Sequence, residues 1–260
     1  MRNDHHKEIT AADLLGVLGR GLLIQASWSF EWMQSLGFAY AIEPVLRKLY
    51  PEQAEYASRL RLHTDYFNTQ PYLASFILGA AVKIEQDRAT GRNRTVDVQA
   101  LKASLMAPLG ALGDSFFWGS LKPFAAVVSA ALLMTGSWWA SFLFLALYNI
   151  WHIGLRAGVL FLGYRTGGDA VGLMARYRFT RWAGVLKAIS HTVLGGIVGT
   201  LPLWRQEFRL TFDMPALLMA VSGMAFTLVL VAVLRKGGSP LKLMLGLAAA
   251  CIGLAYAGVI

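Results

Sequence analysis

A chain of 260 residues in which 56% are hydrophobic and only 15% charged falls well below the roughly 25% charge of soluble domains, which excludes an ordinary soluble enzyme and points to an integral membrane protein. The net charge of +9 reads as Lys and Arg gathered in cytoplasmic loops, not as a nucleic-acid surface. The single cysteine, Cys251, rules out an internal disulfide or a cysteine metal cluster and reads as a small packing residue.

The first residues, MRNDHHKEITAADLL, are polar and lack the basic-then-apolar pattern of a cleaved signal. His5 and His6 read as solvated tail, with no third ligand nearby to make a metal site. Thr10, with Asp13 three residues on, predicts an N-cap. Residues 11–50 read as helical, with breaks expected near Gly16, Gly21 and Gly37. Gln25, Glu31 and Gln34 interrupt the apolar run, so a membrane-surface or re-entrant segment is expected. Residues 47–65 read as a solvated helical hairpin with Pro51 at its corner. HTDYFNTQP ends that helix, since the residue before Pro71 is pushed out of the α region. Residues 72–86 predict a short apolar helix, and 87–99 a polar linker.

The stretch from Lys102 to Trp151 carries the strongest membrane signal. Its first part reads as a Gly- and Pro-broken segment holding one acid, Asp114. Its second, Pro123 to Leu155, is free of formal charge and exceeds the ~20 apolar residues that cross a bilayer. A broken segment leading into a span is an arrangement found at transporter binding sites. Beyond it, Arg156, Arg165, Arg176, Arg178, Arg181 and Lys187 mark 156–187 as cytoplasmic. Spans are expected at 188–204, 214–234 and 244–260. They are separated by an outside loop at 205–213 and a tight cytoplasmic turn around Gly237, Gly238 and Pro240. The fold class is therefore an all-α, polytopic membrane protein. Its N-terminal helices, 1–123, are amphipathic or re-entrant. About four transmembrane helices follow in 124–260, and the whole chain reads as a single domain.

No Ser-His-Asp order, HExxH, CxxC or phosphate-loop spacing is present. Thr166 to Asp169 reads as a turn, and Gly195 with Gly199 as a small-residue pair for close helix packing. His152 and His191 read as helix contacts. Glu31 and Gln34 share a helix face beside Trp28, Trp32 and Phe38. Polar groups beside aromatic rings suit a sugar, and they equally suit an amphipathic helix against headgroups. His63, Asp65, Asn68, Thr69 and Gln70 form a polar knot before an apolar helix, readable as capping chemistry. Asp114 is an acid at membrane depth, a functional position by default, or a cap of the following turn.

Four stretches bring a family into view: GLLIQASWSFEWMQSLGFAYAIEPVLRKLYP at 21–51, HTDYFNTQPYLASFILGAAVKIEQ at 63–86, LKASLMAPLGALGDSFFWGSLKP at 101–123, and LRKGGSPLKLMLGLAAACIGLAYAGVI at 234–260. In order and spacing the chain resembles the IID component of mannose/fructose/sorbose-type phosphotransferase system (PTS) permeases. The resemblance implies a non-catalytic subunit that pairs with a IIC subunit, in trimers of pairs, in the bacterial inner membrane. Such a complex translocates a hexose while IIA and IIB phosphorylate it, and needs no cofactor or metal in this chain. It also implies Glu31, Gln34, His63, Asn68 and Asp114 as substrate-binding candidates. Ser29 and Trp32 stand where family members more often carry Asn and Arg. A divergent membrane scaffold or sensor that docks phosphotransferase proteins without transport is the alternative. A membrane enzyme using Glu31 or Asp114 lacks a second carboxylate at usable spacing.

Overall fold

The computed structural model describes residues 8–170, 179–200 and 214–257. Among these the chain is helical, with no named strand. The helices are α1 (Ala11–Gly21), α2 (Ser35–Leu49), α3 (Gln53–His63), α4 (Ala74–Ala89), α5 (Val98–Gly113), a π-helical stretch (Asp114–Leu121), α6 (Lys122–Met134), α7 (Ala140–Thr166), α8 (Phe179–Thr200), α9 (Met214–Arg235) and α10 (Pro240–Tyr256). They fall into two compact units: Met1–Pro123 with Leu145–Val185, and Phe124–Phe144 with Leu186–Ile260.

In the first unit, α1 starts where the sequence predicts. Thr10 and Asp13 close a reciprocal capping box, which satisfies two N–H groups that a helix start otherwise leaves bare. Of the three glycines expected to break 11–50, only Gly21 ends a helix. Gly16 lies inside α1 and Gly37 inside α2. Gly37 instead permits contact, since a Cβ there would overlap the backbone carbonyl of Ile24. The polar hairpin turns at Pro51 as expected, between α2 and α3. Glu43 ties the two helices to α1: it accepts from Arg20 at 2.9 Å, from Tyr56 at 3.2 Å and from Arg47.

α4 is the centre of this unit. Every residue from Ala74 to Val82 is buried, which explains why it is apolar all round and not amphipathic. Phe38, Ile42 and Leu46 of α2, Leu105 of α5 and Phe117 are buried in the same core. α7 crosses α4 at backbone contact: a Cβ on Gly79 would overlap the Leu160 carbonyl, and one on Gly163 would overlap the Phe76 carbonyl. Arg156 of α7, only 3% exposed, donates to Ser75 Oγ at 3.2 Å and to the Gly21 carbonyl, and its guanidinium lies 5.8 Å from the Tyr72 ring centre. It thereby satisfies a carbonyl at the end of α1.

Two sequence expectations fail along the membrane stretch. The segment around Asp114 is not broken. Helix runs unbroken from Val98 to Met134, 37 residues with Pro108 inside it. The wide π turns of 114–121 absorb the irregularity, aided by Ser120 Oγ donating to the Ser115 carbonyl at 2.6 Å. Pro123 follows directly at the change of register, where a missing N–H disturbs least. The charge-free run 123–155 is also not one span. It breaks at a turn where Gly136 has φ +79°. The second long apolar helix is then Ala140–Asp169, 30 residues closed by the 3-10 turn Gly167–Asp169. Both helices exceed the length a bilayer core requires. At Gly136 a Cβ would meet nothing within 4 Å, so only strain opposes a side chain. Gly136→Ala is expected to lower stability by about 1–2 kcal/mol, read as a few degrees in a detergent melt.

In the second unit, α8 and α9 cross at Gly195, Gly199 and Gly223. A Cβ on Gly223 would overlap the Gly195 carbonyl, so the small-residue pair packs helices within the chain. Trp138, Trp139 and Phe142 cluster at the turn before α7, a grouping suited to a membrane interface. Gly237, at φ +88°, makes the predicted tight turn, and Ser239 caps α10. Cys251 is exposed on α10 and not packed as the sequence suggests. α10 buries none of its described side chains, so nothing among the described residues covers that position. The expected outside loop 205–213 lies outside the described residues.

Candidate functional site

The FNTQP segment, residues 67–71, is clamped from both sides. On one side, Gln34 N donates to the Phe67 carbonyl at 2.9 Å, and its side chain donates to the Thr69 carbonyl at 2.8 Å. This needs the turn at Met33, the one described non-glycine residue with positive φ, at +53°. On the other side, Thr69 Oγ1 donates to the Met106 carbonyl of α5 at 2.9 Å. Gln70 Oε1 accepts from the N–H groups of Tyr72 and Leu73 and so holds the start of α4.

Between this segment, the 25–34 turn and the α5–π junction lies a cavity of about 710 Å3, within the ~300–1,000 Å3 of small-molecule sites. Its wall includes Gln25, Asn68 and Asp114 as polar groups and Trp28, Tyr66 and Trp118 as rings. The side chains of Asn68 and Asp114 have no hydrogen-bond or ion-pair partner among the described residues. Both residues are exposed, so their polar groups face open space and are accessible to a ligand. Asp114 is the only carboxylate in that wall. The wall offers hydrogen bonds and ring faces, and no acid–base couple. Among the described residues no group of three His, Cys, Asp or Glu converges on a metal site.

The five residues implied by the family resemblance separate here. Gln34, Asn68 and Asp114 line the cavity together. Gln34 is 2% exposed, and both ends of its carboxamide engage the Thr69 backbone, so it shapes the wall. Glu31 is exposed in the 28–34 turn and is not part of the wall. His63 is fully buried elsewhere: its Nε2 lies 3.0 Å from Glu85 Oε1 and its ring stacks 5.7 Å from Phe38. Glu85 also accepts from Arg59 Nη2 at 2.6 Å and Tyr50 Oη at 2.8 Å. Burial alone would raise the Glu85 pKa. The hydrogen bonds from His63 and Arg59, with the guanidinium charge, outweigh it and hold it down to about 2. Burial lowers the His63 pKa despite its bond to Glu85, so the ring is neutral and donates. Nearby, Lys102 Nζ sits 4.6 Å from the Phe38 ring centre and 5.6 Å from that of Phe67.

Sequence reasoning passed over Trp118, Tyr66 and Lys102, and it placed Gln70 only in the polar knot. The FFWG run after Asp114 was a usable signal for Trp118. Lys102 gave none, because a cation beside the polar 87–99 segment reads as solvated.

Fold and cavity together define a helical membrane protein with a ligand-sized pocket walled by polar and aromatic groups. The chain belongs to the PTS system mannose/fructose/sorbose family IID component, whose pattern it matches over residues 8–260. It is 39% identical over 169 residues to the mannose-specific EIID component of Escherichia coli K12, covering 64% of this chain and 59% of that relative. The chain thus spans less than two thirds of the length of the first such relatives. It is 33% identical over 168 residues to the sorbose-specific EIID component of Klebsiella pneumoniae. It is 24% identical over 262 residues, 94% of each chain, to the fructose permease IID component of Bacillus subtilis. Among solved structures it resembles a chain of the mannose transporter ManYZ in complex with microcin E492. There the TM-score is 0.58 at 30% identity, over 97% of this chain and 98% of that one.

Proposed function

We propose that this chain is the IID subunit of a hexose permease. It pairs with a IIC subunit in a multi-pass inner-membrane complex, a trimer of such pairs, and the sugar is phosphorylated from inside by IIA and IIB. The observation that carries the reading is the cavity wall itself. Asn68 and Asp114 stand free of partners beside Trp28 and Trp118. A hexose presents hydroxyls that donate and accept, and an apolar ring face that stacks on indole. The names of the relatives, specific for mannose, sorbose and fructose, fit the same substrate class. With one carboxylate in the wall and no histidine or second carboxylate beside it, the chain binds sugar and leaves phosphoryl transfer to its partners.

Of the five candidates, Asn68 and Asp114 contact sugar, Gln34 holds the wall, His63 supports the surrounding structure through Glu85, and Glu31 lies outside the wall. Asn68→Ala is expected to cut hexose uptake by ~5–30-fold, the value of one or two lost hydrogen bonds. The amount of assembled complex in the membrane should stay at the wild-type level. Uptake in cells with quantified complex checks this, and normal uptake in the variant would remove Asn68 from the site.

A further inference from the structure

The FNTQP segment runs outside any helix, so its N–H groups need acceptors that no helical ladder supplies. Thr69 N finds one in Gln34 Oε1 at 3.4 Å. Asn68 N donates instead to Met106 Sδ of α5 at 3.3 Å, and no other acceptor meets it among the described residues. A thioether is a weak acceptor, but an unbranched, flexible side chain such as Met adapts to a gap of irregular shape.

Met106 lines the cavity with Ala103, Ala107 and Gly110. These positions recur at helical spacing and share one face of α5. A Cβ on Gly110 would lie 3.8 Å from Thr69 Oγ1, so the segment runs against this face at ordinary contact distance. Met106 is the one long side chain of the four, and the residue engages the segment twice. Its thioether takes the Asn68 N–H, and its carbonyl takes the Thr69 hydroxyl at 2.9 Å. The two bonds hold consecutive residues, and so fix the backbone from which the exposed Asn68 side chain projects.

We propose that Met106 is a positioning residue of the site, its thioether holding the Asn68 backbone so that the carboxamide meets the sugar already in place. This rests on reading the cavity as a hexose site with Asn68 as a ligand. A loop that must be ordered on binding subtracts that ordering from the affinity. A segment held beforehand does not. Met106 thus contributes through Asn68, not through a polar contact of its own with the sugar.

Met106→Leu removes the acceptor, keeps the apolar bulk and leaves the carbonyl for Thr69; exchanges between Met and Leu are among the best tolerated. Met106→Gln puts an oxygen acceptor at similar reach. The purified IIC–IID pair is titrated with mannose as wild type, as these two variants, as Asn68→Ala, and as Met106→Leu combined with Asn68→Ala. Met106→Leu is expected to weaken binding ~3–10-fold with an unchanged melting midpoint, and Met106→Gln to keep wild-type affinity. The combined variant should bind no worse than Asn68→Ala alone, since nothing is left to position. Without sugar, amide hydrogen exchange in 67–70 should be faster in Met106→Leu than in wild type. Wild-type affinity in Met106→Leu overturns the assignment, and so do penalties that simply add in the combined variant. Unchanged exchange in 67–70 overturns it without any ligand, and a Met106→Gln pair that assembles yet binds ~3–10-fold more weakly does the same. A wild-type pair that binds no hexose overturns the hexose reading of the cavity and this assignment with it. A pair that binds mannose with Met106 and Asn68 uncoupled overturns the assignment alone.

Discussion

Replacing Glu85 with Gln is expected to destabilise the protein by about 3–5 kcal/mol, the loss typical when a buried ion pair is stripped of one partner. The carboxylate is fully buried in α4 and holds three elements at once: Tyr50 at the end of α2, Arg59 and His63 on α3, and α4 itself. Without its charge, the Arg59 guanidinium keeps its desolvation and loses its counter-ion. The same centre sets the acid limit. In the unfolded chain Glu titrates near ~4.3, and in the folded protein the Glu85 pKa is held down to about 2. Between those values the unfolded chain binds more protons, so the contribution is complete above about pH 4.3 and is lost as pH falls towards 2. His63 acts in the same direction. Burial lowers its pKa from 6.5, so the unfolded ring takes up a proton first and stability declines below about pH 6.5. Melting midpoints in detergent from pH 8 to pH 3 should be level above neutrality in the wild type, slope gently below 6.5 and steeply below 4.3. Glu85→Gln should start low and show a shallower acid limb, the remainder coming from Asp13 and Glu43, which are also held below the usual carboxylate range. A variant melting within a degree of wild type would show that the Glu85 centre contributes little.

A side chain at the α4–α7 crossing should be as damaging. Gly79→Leu and Gly163→Leu each place atoms where a carbonyl oxygen of the opposite helix now stands. Overpacking ordinarily costs 1–3 kcal/mol because neighbouring side chains shift. Here the obstacle is backbone within two helices, so the expected cost is at or above about 3 kcal/mol. Because Arg156 lies on the same helix and reaches Gly21 and Ser75, separation of α7 from α4 should also loosen α1. Hydrogen exchange would show this as loss of protection spreading from 74–89 into 11–21. Gly154→Leu is the matched comparison: a Cβ there meets nothing within 4 Å, and the change should be tolerated.

The helical periodicity and the punctuation of the chain were largely legible from its residues. Thr10 with Asp13, Pro51 and the Gly237–Pro240 turn declare helix ends by local chemistry alone. The long membrane helices were misread because both outcomes there depend on context. Pro108 and the glycines around Asp114 look like breakers, but a π stretch and packing against the FNTQP segment carry the helix through them. Gly136 lies in a charge-free run where nothing local says which glycine takes a positive φ. At the site, Asn68, Asp114 and Gln34 converge because α3, α4 and α5 fold back on one another. Linear motifs could name those residues but not separate them from His63. That residue lies in the same polar knot, and only tertiary packing sends it to Glu85 instead of the cavity.

The central claim, a hexose bound in the cavity walled by Asn68, Asp114, Trp28 and Trp118, is tested most directly by equilibrium titration of the purified IIC–IID pair with mannose, fructose and sorbose, following tryptophan fluorescence. Saturable binding of at least one hexose is expected, with the signal lost in Trp118→Leu. Affinity should fall by ~10-fold or more in Asp114→Asn, with an unchanged melting midpoint. Hexose binding at wild-type affinity in both Asn68→Ala and Asp114→Asn would contradict the account and place the sugar elsewhere in the pair.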